Sequence, residues 1–254
     1  MRENKLLGIP IPQQTKNNIL EQIKKYTDNP TGFFHIVSLN PENLVIAQDN
    51  QEFKKVIETA QIKIIDGVGV VIAARIHRKQ IGERFPGIEL MKELIQLASH
   101  GRLRVLLIGG KPNLAVRLAH CYQQTYPQAK FLGHYGIKNI KNPKEIEEKT
   151  IFSIVTEFEP HIVLAAFGSP EQELWLYRHR SLFKDCLCMG VGGAFDYLSG
   201  EIIRAPKFIL KIGLEWFYRL IRQPWRWRRQ MRLIKFIWLV LFSVILRKRS
   251  DRRI

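Results

Sequence analysis

The chain has 254 residues, 46% of them hydrophobic, and a formal net charge of +17 at pH 7. A chain of this length and composition can bury a sizeable core as one large domain, or as one domain with an appendage. Its three cysteines (Cys121, Cys186 and Cys188) exclude a disulfide framework, and their spacing does not match a zinc site.

Strand-like and helix-like segments alternate along the first 200 residues. The predicted strands are short apolar runs, and the predicted helices carry apolar residues at helical spacing. After an edge hairpin or arm at 6–12, the predicted strands are 33–38, 62–65, 103–108, 130–132, 161–167 and 186–191, and the predicted helices are 16–26, 41–48, 51–59, 70–77, 88–98, 112–124, 144–157 and 171–182. This alternation predicts an α/β fold with a mostly parallel sheet covered on both faces.

Polar or glycine-rich turns follow five of the predicted strands. Because the carboxyl ends of parallel strands meet at one edge of a sheet, these turns are expected to line one crevice, as in nucleotide-binding folds. Asp66, after the strand 62–65, is the candidate catalytic carboxylate; the alternative is that it only caps the following helix. The other turns are Ser38 to Asn40, Gly109 to Pro112, Gly168 to Glu173 and Gly190 to Asp196.

Some of these polar residues also have a purely local interpretation. Asn40 has the position of a helix N-cap. Ser169 and Gln172 have capping-box spacing, with Pro170 as the first helical residue. Arg84 could bind a pyrophosphate through its guanidinium, or it could simply be solvated.

The glycine-rich turns leave two interpretations open as well. Backbone N–H groups at 109–110 could cradle a phosphate, or the glycines could only form a tight turn. The glycines at 190–193 permit close approach of a ligand whose ribose or base Asp196 could bind; a structural turn is the alternative. Because no Asp-x-Asp occurs, the sequence does not predict a metal-held diphosphate, whose charge arginines and backbone donors would have to meet.

The basic charge is concentrated in the C-terminal tail. Residues 201–254 hold 15 Lys and Arg against 3 Asp and Glu, whereas residues 1–200 hold 25 against 20. Basic residues flank an apolar run at 233–246, which is shorter than the about 20 residues that a transmembrane helix needs. This pattern indicates docking to an anionic membrane surface, with a core or oligomer-interface helix as the alternative. Nucleic acid fits less well, because the apolar run has no role in phosphate binding.

Together these motifs resemble the bacterial WecG/TagA/CpsF glycosyltransferase family, and they occur in the family's order. The matching segments are Ser38 to Glu42, Asp66 to Gly69, Glu83-Arg84, Gly109 to Pro112, Gly168 to Glu173, Gly190 to Asp196 and Arg204 to Leu220. The resemblance implies a Rossmann-like catalytic domain with a helical, membrane-docking C-terminal appendage. The composition of the chain shifts near Arg204, which places the catalytic domain at 1–203 and the appendage at 204–254.

The resemblance also assigns roles to individual residues. Asp66 matches the family's proposed catalytic base, and Ser38 stands where a threonine near the reacting sugar is usual. Asn40, Arg84, Gln172 and Asp196 match positions that line the donor pocket, and the glycine-rich turns add Gly109 and Gly192 as candidate substrate-binding positions. Tail arginines that would close over the diphosphate are Arg219, Arg226 and Arg229.

The implied activity is a sugar transfer at the cytoplasmic face of the plasma membrane. An inverting enzyme without metal or other cofactor would move N-acetylmannosamine, or a related hexosamine or uronic acid, from a UDP donor. The acceptor would be N-acetylglucosamine on a polyprenyl diphosphate, in polysaccharide or teichoic-acid-type biosynthesis. Expected partners are this donor, this acceptor and anionic lipid, but no nucleic acid. The sequence leaves open whether the active form is a monomer or a homo-oligomer. Another nucleotide-binding enzyme and a basic nucleic-acid-binding protein are the alternatives.

Overall fold

The computed structural model describes residues 4–201, 205–206, 209, 215–222 and 227–251. Within them, eight strands and eleven helices are defined. The strands are β1 (Lys5–Leu6), β2 (Ile9–Pro10), β3 (Phe34–Leu39), β4 (Ile62–Ile65), β5 (Arg104–Gly109), β6 (Lys130–His134), β7 (Ile162–Ala166) and β8 (Leu187–Gly190). The helices are α1 (Lys16–Asp28), α2 (Pro41–Asp49), α3 (Gln51–Thr59), α4 (Val68–Ile76), α5 (Gly87–Gly101), α6 (Leu114–Thr125), α7 (Glu145–Phe158), α8 (Glu171–Arg178), α9 (Ala194–Leu198), α10 (Glu215–Arg222) and α11 (Trp227–Asp251).

Six strands form one sheet in the order β4-β3-β8-β7-β5-β6, and every neighbouring pair is parallel. The predicted α/β class is therefore confirmed. The predicted N-terminal hairpin is also present, because β1 and β2 pair antiparallel. Chain order reverses between β3 and β8, which are the first and the last strands of this sheet along the chain. In folds of this kind, ligands bind beyond the carboxyl ends of the strands near such a switch point.

Helices cover both faces of the sheet, since successive strand residues point to opposite sides. On β5, Leu107 packs in a core cluster with residues of α5 and α6. Its neighbours Leu106 and Ile108 pack in a second cluster with residues of α7 and α8. On β3, Val37 and Leu39 belong to a third cluster with residues of α2, α3 and α4. Burial on both sides explains why the strands read as continuous apolar runs.

Most element ends lie within one to three residues of the prediction, and two element predictions differ by more. Helix α8 ends at Arg178, not at 182, because the chain turns there and Phe183 enters the core beside Trp175, with ring centroids 5.5 Å apart. The short helix α9 was not predicted; it follows the glycine turn at 190–193 and buries Phe195. Both differences depend on tertiary packing, which the helical spacing of the sequence does not report.

The local cap predictions have opposite outcomes. Asn40 caps α2, since its Oδ1 accepts the N–H of Asn43 at 2.9 Å, and Pro41 is the first helical residue, as predicted. The expected capping box at α8 is wrong. Pro170 is the residue before the helix, and the Oγ of Ser169 donates to the Oδ1 of Asn43 at 2.9 Å. The serine hydroxyl thus joins the start of α8 to α2 instead of capping its own helix.

The C-terminal helix α11 packs against α2. Its Phe236 and Val240 are buried in the same apolar cluster as residues of α2 and α3. Ion pairs join Arg232 of α11 to Glu42 and Lys235 Nζ to Asp49 Oδ2, the latter at 2.6 Å. One side of α11 is therefore part of the core, while the division at 203–204 stays a prediction. None of the helices in the described part of the chain is both long and apolar enough to span a bilayer.

Candidate active site

A cavity of about 660 Å³ opens at the carboxyl edge of the sheet, above β3, β4, β7 and β8. Its polar side comprises Ser38 near the end of β3, Arg84 before α5, and residues of the turns and helices that follow the strands: Asn40, Glu42, Asn43, Asp66, Ser169, Gln172, Glu173 and Tyr197. Its apolar side comprises Ile72, Ala73 and Ile76 of α4, Trp216 of α10, and Leu233, Phe236, Ile237, Val240 and Leu241 of α11. Gly192 lines the same cavity. The expected crevice is thus present, and it brings together six of the predicted site residues.

Asp66 lies where β4 ends, and its carboxylate is held by a distant turn. Its Oδ1 accepts the N–H of Gly87, the first residue of α5, at 2.9 Å. The first N–H groups of a helix have no partner within the helix and favour a negative charge. The alternative that Asp66 caps the following helix is wrong, because Gly67 is the N-cap residue of α4 and makes no side-chain cap. The carboxylate instead ties β4 to α5 across the cavity.

Arg84 and Ser38 flank this carboxylate. The Nε of Arg84 donates to the carbonyl oxygen of Asp66 at 2.9 Å, which holds the guanidinium group at the cavity. Ser38 lies on β3 opposite Ile64 of β4, two residues before Asp66. A Cβ atom added to Gly87 would lie 3.4 Å from the Ser38 hydroxyl oxygen. A hydroxyl, a carboxylate and a guanidinium therefore converge on one end of the cavity.

Asn40 combines two roles. Its Oδ1 is used to cap α2, and the residue also lines the cavity. The sequence left capping and ligand binding as alternatives, and the position is compatible with both. Its amide nitrogen is the donor that it can offer to a ligand.

The buried side chain of Gln172 connects two glycine-containing turns by hydrogen bonds. Its Oε1 accepts the N–H groups of Gly168 and Gly192, each at 3.1 Å, and its Nε2 donates to Glu173 Oε1 at 2.8 Å. A Cβ atom on Gly190 would lie 2.5 Å from this Nε2, so a glycine is required there for the amide to fit. Gln172 thus fixes the relative positions of the turns after β7 and β8, in addition to lining the cavity.

Among the cavity residues to which the sequence assigned no role are Asn43, Ser169 and Glu173. Asn43 is buried and bridges α2 to β3 and α8, since its Nδ2 donates to the Ser38 carbonyl oxygen at 2.8 Å and its Oδ1 accepts from Ser169. Glu173 is 1% exposed, and burial raises the pKa of its carboxyl, although the hydrogen bond from Gln172 and the nearby Ser169 hydroxyl, whose proton goes to Asn43, oppose this effect. Polar residues at buried helix positions directly after a strand were the available signal.

Two predicted site residues do not line the cavity. Gly109 packs against Phe167, because a Cβ atom there would lie 2.8 Å from the phenyl ring. Asp196 pairs with Lys111 Nζ at 3.1 Å, and Lys111 also pairs with Glu201 at 2.9 Å. These ion pairs connect the turn after β5 to the region of α9. Their predicted roles in phosphate and nucleoside binding stay predictions.

The tail arginines can be placed only in part. Arg226 lies outside the described residues, as do the side chains of Arg219 and Arg229. The described helices α10 and α11 nevertheless reach the cavity, through Trp216 and through the apolar residues of α11. Among the described residues, no three His, Cys, Asp or Glu side chains cluster as metal ligands. The metal independence implied by the resemblance stays a prediction.

Comparison with known proteins gives consistent matches over almost the whole chain. Two relatives from Staphylococcus aureus, strains MW2 and NCTC 8325, are each 30% identical over 249 residues, covering 98% of this chain and 94% of the relative. A relative from Bacillus subtilis strain 168 is 29% identical over 243 residues, covering 95% of this chain and 92% of the relative. All three are named N-acetylglucosaminyldiphosphoundecaprenol N-acetyl-beta-D-mannosaminyltransferase.

A family model also matches almost the whole chain. Residues 4–250 match the model of the glycosyl transferase WecG/TagA/CpsF family, a range that includes all of the cavity. The resemblance drawn from the motifs is therefore confirmed, and the chain belongs to the WecG/TagA/CpsF family of glycosyltransferases.

Proposed function

We propose that this enzyme transfers N-acetylmannosamine, or a closely related sugar, from a UDP donor to N-acetylglucosamine on a polyprenyl diphosphate. The observation that supports this most directly is the two-sided cavity. Its polar side holds a carboxylate, a hydroxyl and a guanidinium, and its apolar side is built by α4 and α11. An acceptor with a sugar and diphosphate at one end and a hydrocarbon chain at the other fits such a cavity.

Several apolar side chains on the apolar side of the cavity are exposed to solvent. Ile72 and Ile76 of α4 are 52% and 48% exposed, and Ile237 and Leu241 of α11 are 51% and 54% exposed. Grouped exposed apolar side chains mark binding surfaces, whereas isolated ones need no explanation. Since the same cavity contains Asp66, the hydrocarbon of a lipid-linked acceptor would lie beside the residues that react with its sugar.

The proposed reaction is a single displacement at the anomeric carbon of the donor. Asp66 takes the proton of the acceptor hydroxyl while the hydroxyl oxygen forms a bond to the anomeric carbon. The bond from that carbon to the β-phosphate oxygen breaks, its electron pair leaves with UDP, and the anomeric configuration inverts. Arg84 is held beside Asp66, where its positive charge can stabilise the leaving diphosphate without a metal. The resemblance to the family implies the same task for Arg219, Arg226 and Arg229.

The second part of the proposal is docking at the cytoplasmic face of the membrane. Helix α11 uses Phe236 and Val240 against the core, but Trp238 and Phe242 on another side are 59% and 44% exposed. Their rings stack with centroids 5.1 Å apart. Aromatic side chains beside basic residues are typical of the membrane interface. Docking of this face would bring the cavity to a lipid-linked acceptor.

The names of the relatives support the same acceptor and sugar, since these proteins are named for transfer of N-acetylmannosamine to undecaprenyl-diphosphate-linked N-acetylglucosamine. Each match covers more than 90% of the relative, so the comparison includes nearly all of the length for which the relative is named. The identity of about 30% leaves the sugar to be tested directly.

The direct test is transfer by the full-length protein. The protein would be incubated with a panel of UDP-hexosamines and UDP-uronates and a synthetic polyprenyl-diphosphate-N-acetylglucosamine, and products would be read by mass spectrometry. We expect one added N-acetylhexosamine with UDP-N-acetylmannosamine, inverted configuration by NMR, and undiminished turnover in EDTA. UDP release without a glycosylated product, or transfer that EDTA abolishes, would contradict the proposal.

A further inference from the structure

Glu173 is the most buried charged residue of the polar side, and the proposed reaction gives it no role. It is 1% exposed and lines the cavity beside the glycine turn at 190–193. Its Oε1 accepts from Gln172, but its Oε2 has no hydrogen-bond partner in the described part of the chain. A buried polar atom without a partner destabilises the fold, so such an atom in a binding cavity indicates a group that a ligand completes.

The surroundings of Glu173 favour its neutral form. Removing a carboxylate from water without a cation beside it is costly, and burial raises the pKa of this carboxyl. Glu171 on the same helix raises this pKa further, whereas the hydrogen bond from Gln172 and the nearby Ser169 hydroxyl lower it. The other charged groups that line the cavity are Asp66 after β4, Arg84 before α5, and Glu42 on α2, which is paired with Arg232 of α11. A neutral carboxyl has one O–H group to donate, and Oε2 is the oxygen that can carry it.

We propose that Glu173 is a specificity-determining residue, which stays protonated and donates a hydrogen bond from Oε2–H to a hydroxyl or carbonyl oxygen of the donor sugar. This inference rests on the proposed function. An uncharged sugar oxygen suits a neutral donor, whereas the diphosphate is matched by the guanidinium groups. Gln172 positions the carboxyl, because its amide is itself fixed by Gly168 and Gly192.

The hydrogen bond between Gln172 and Glu173 is consistent with a Glu173 carboxyl that donates to the sugar. The Nε2 of Gln172 donates to Oε1 at 2.8 Å, which leaves the proton on Oε2 and orients it away from the amide. An ionised Glu173 would instead present a second acceptor oxygen, and sugar hydroxyls could only donate to it. Glutamine has the same shape as a protonated glutamate and offers an N–H donor in the same place. The substitution Glu173→Gln therefore distinguishes a neutral donor from a functional carboxylate.

The test uses three variants of the full-length protein: Glu173→Gln, Glu173→Leu, and Glu171→Gln as the control. Glu171 begins the same helix and does not line the cavity, so its substitution changes the charge but not the proposed contact. Affinities for UDP and for UDP-N-acetylmannosamine would be measured by calorimetry, donor KM and kcat by the transfer assay, and Tm by thermal unfolding. The difference between the two affinities isolates the contribution of the sugar.

We expect Glu173→Gln and Glu171→Gln to bind both ligands nearly as wild type does. Glu173→Leu should keep its affinity for UDP and lose about 10- to 100-fold in affinity for UDP-N-acetylmannosamine, the range for a buried group that loses its hydrogen-bond partner. Donor KM of the wild type should rise as the pH increases through the pKa of Glu173, whereas donor KM of Glu173→Gln should stay constant. This last comparison decides the question if Glu173→Leu does not fold.

Several results would overturn the inference. If Glu173→Gln loses activity as severely as Glu173→Leu, the residue acts as a carboxylate. If Glu173→Leu binds the UDP-sugar as wild type does, there is no contact with the sugar. If it loses UDP affinity and Tm together, the residue is structural. If wild type transfers no sugar and binds no UDP-sugar, the proposed function fails first, and the inference fails with it.

Discussion

Asp66→Asn is the substitution that tests the proposed base most cleanly. The asparagine keeps Oδ1, which can still accept the N–H of Gly87 that lies 2.9 Å from it in the wild type. The start of α5 therefore keeps its partner, and the free energy of unfolding should stay within about 0.5 kcal/mol of wild type. The variant loses the negative charge of the carboxylate and its ability to accept a proton. We expect donor binding to persist and kcat to fall by about 10²- to 10⁴-fold, the usual effect of losing a general base.

A companion substitution separates the chemical role of Asp66 from its structural one. Asp66→Ala removes both oxygens and leaves the Gly87 N–H without its acceptor, which should cost about 1–3 kcal/mol of unfolding free energy in addition to the loss of kcat. Asp28→Asn, at the exposed end of α1, is the matched control and should affect neither quantity. Turnover would be followed by the release of UDP with saturating acceptor, and stability by urea unfolding.

The reasoning about Asp66 would be refuted by either of two results. One is turnover of Asp66→Asn within about threefold of wild type, a loss far below that of a general base. The other is equal destabilisation by Asn and Ala, which would mean that the hydrogen bond to Gly87 does not survive the substitution. In the first case another group takes the proton; in the second the measured kcat would report a disturbed fold.

Three further predictions concern the membrane face, the glycine turn and the core. The double substitution Trp238→Glu and Phe242→Glu should abolish co-sedimentation with anionic liposomes without unfolding the protein. The control Ile146→Glu, at an exposed apolar residue of α7, should leave liposome binding unchanged. Unchanged binding of the double variant would contradict the docking model. Gly190→Ala should cost about 1–3 kcal/mol by overpacking against the Gln172 amide and should weaken donor affinity; a wild-type Tm would show that the amide can move aside. His35 is buried, and burial lowers the pKa of its imidazole to about 3. Unfolded histidine takes up its proton first as pH falls from about 6.5, so stability should drop by about 1.4 kcal/mol per pH unit towards pH 3 and be fully present above pH 6.5. Urea unfolding of His35→Leu should lack this component; an identical pH dependence in the variant would contradict the assignment.

The docking experiment uses point substitutions because of how α11 packs. Deletion of residues 233–254 would remove Phe236 and Val240, which are 3% and 4% exposed, from the apolar cluster around α2. Loss of large buried side chains typically costs about 2–5 kcal/mol each, so a truncated protein could lose liposome binding by unfolding. Substitutions on the exposed side of α11 change only the surface that is proposed to meet the lipid.

The sequence by itself determined the features that depend on neighbours within a few residues. Continuous apolar runs predicted the strands of the sheet, because burial on both faces leaves no room for polar alternation. The N-cap of α2 was predicted from Asn40 and Pro41, because the capping hydrogen bond joins residues only three positions apart. Asp66 and Ser38 were placed at one edge for a similar reason, since parallel strands must end on the same side.

Only the tertiary structure decided what the cavity residues contact. The carboxylate of Asp66 accepts a hydrogen bond from Gly87, 21 residues away, so local capping was a reasonable but wrong alternative. Ser169 donates a hydrogen bond to Asn43, 126 residues away, and Gln172 accepts hydrogen bonds from turns that follow two different strands. Asp196 and Gly109 stand in glycine-rich turns like the others, yet packing against Lys111 and Phe167 keeps them off the cavity. Such contacts depend on strand order and helix packing, whereas spacing along the chain records only contacts within one element.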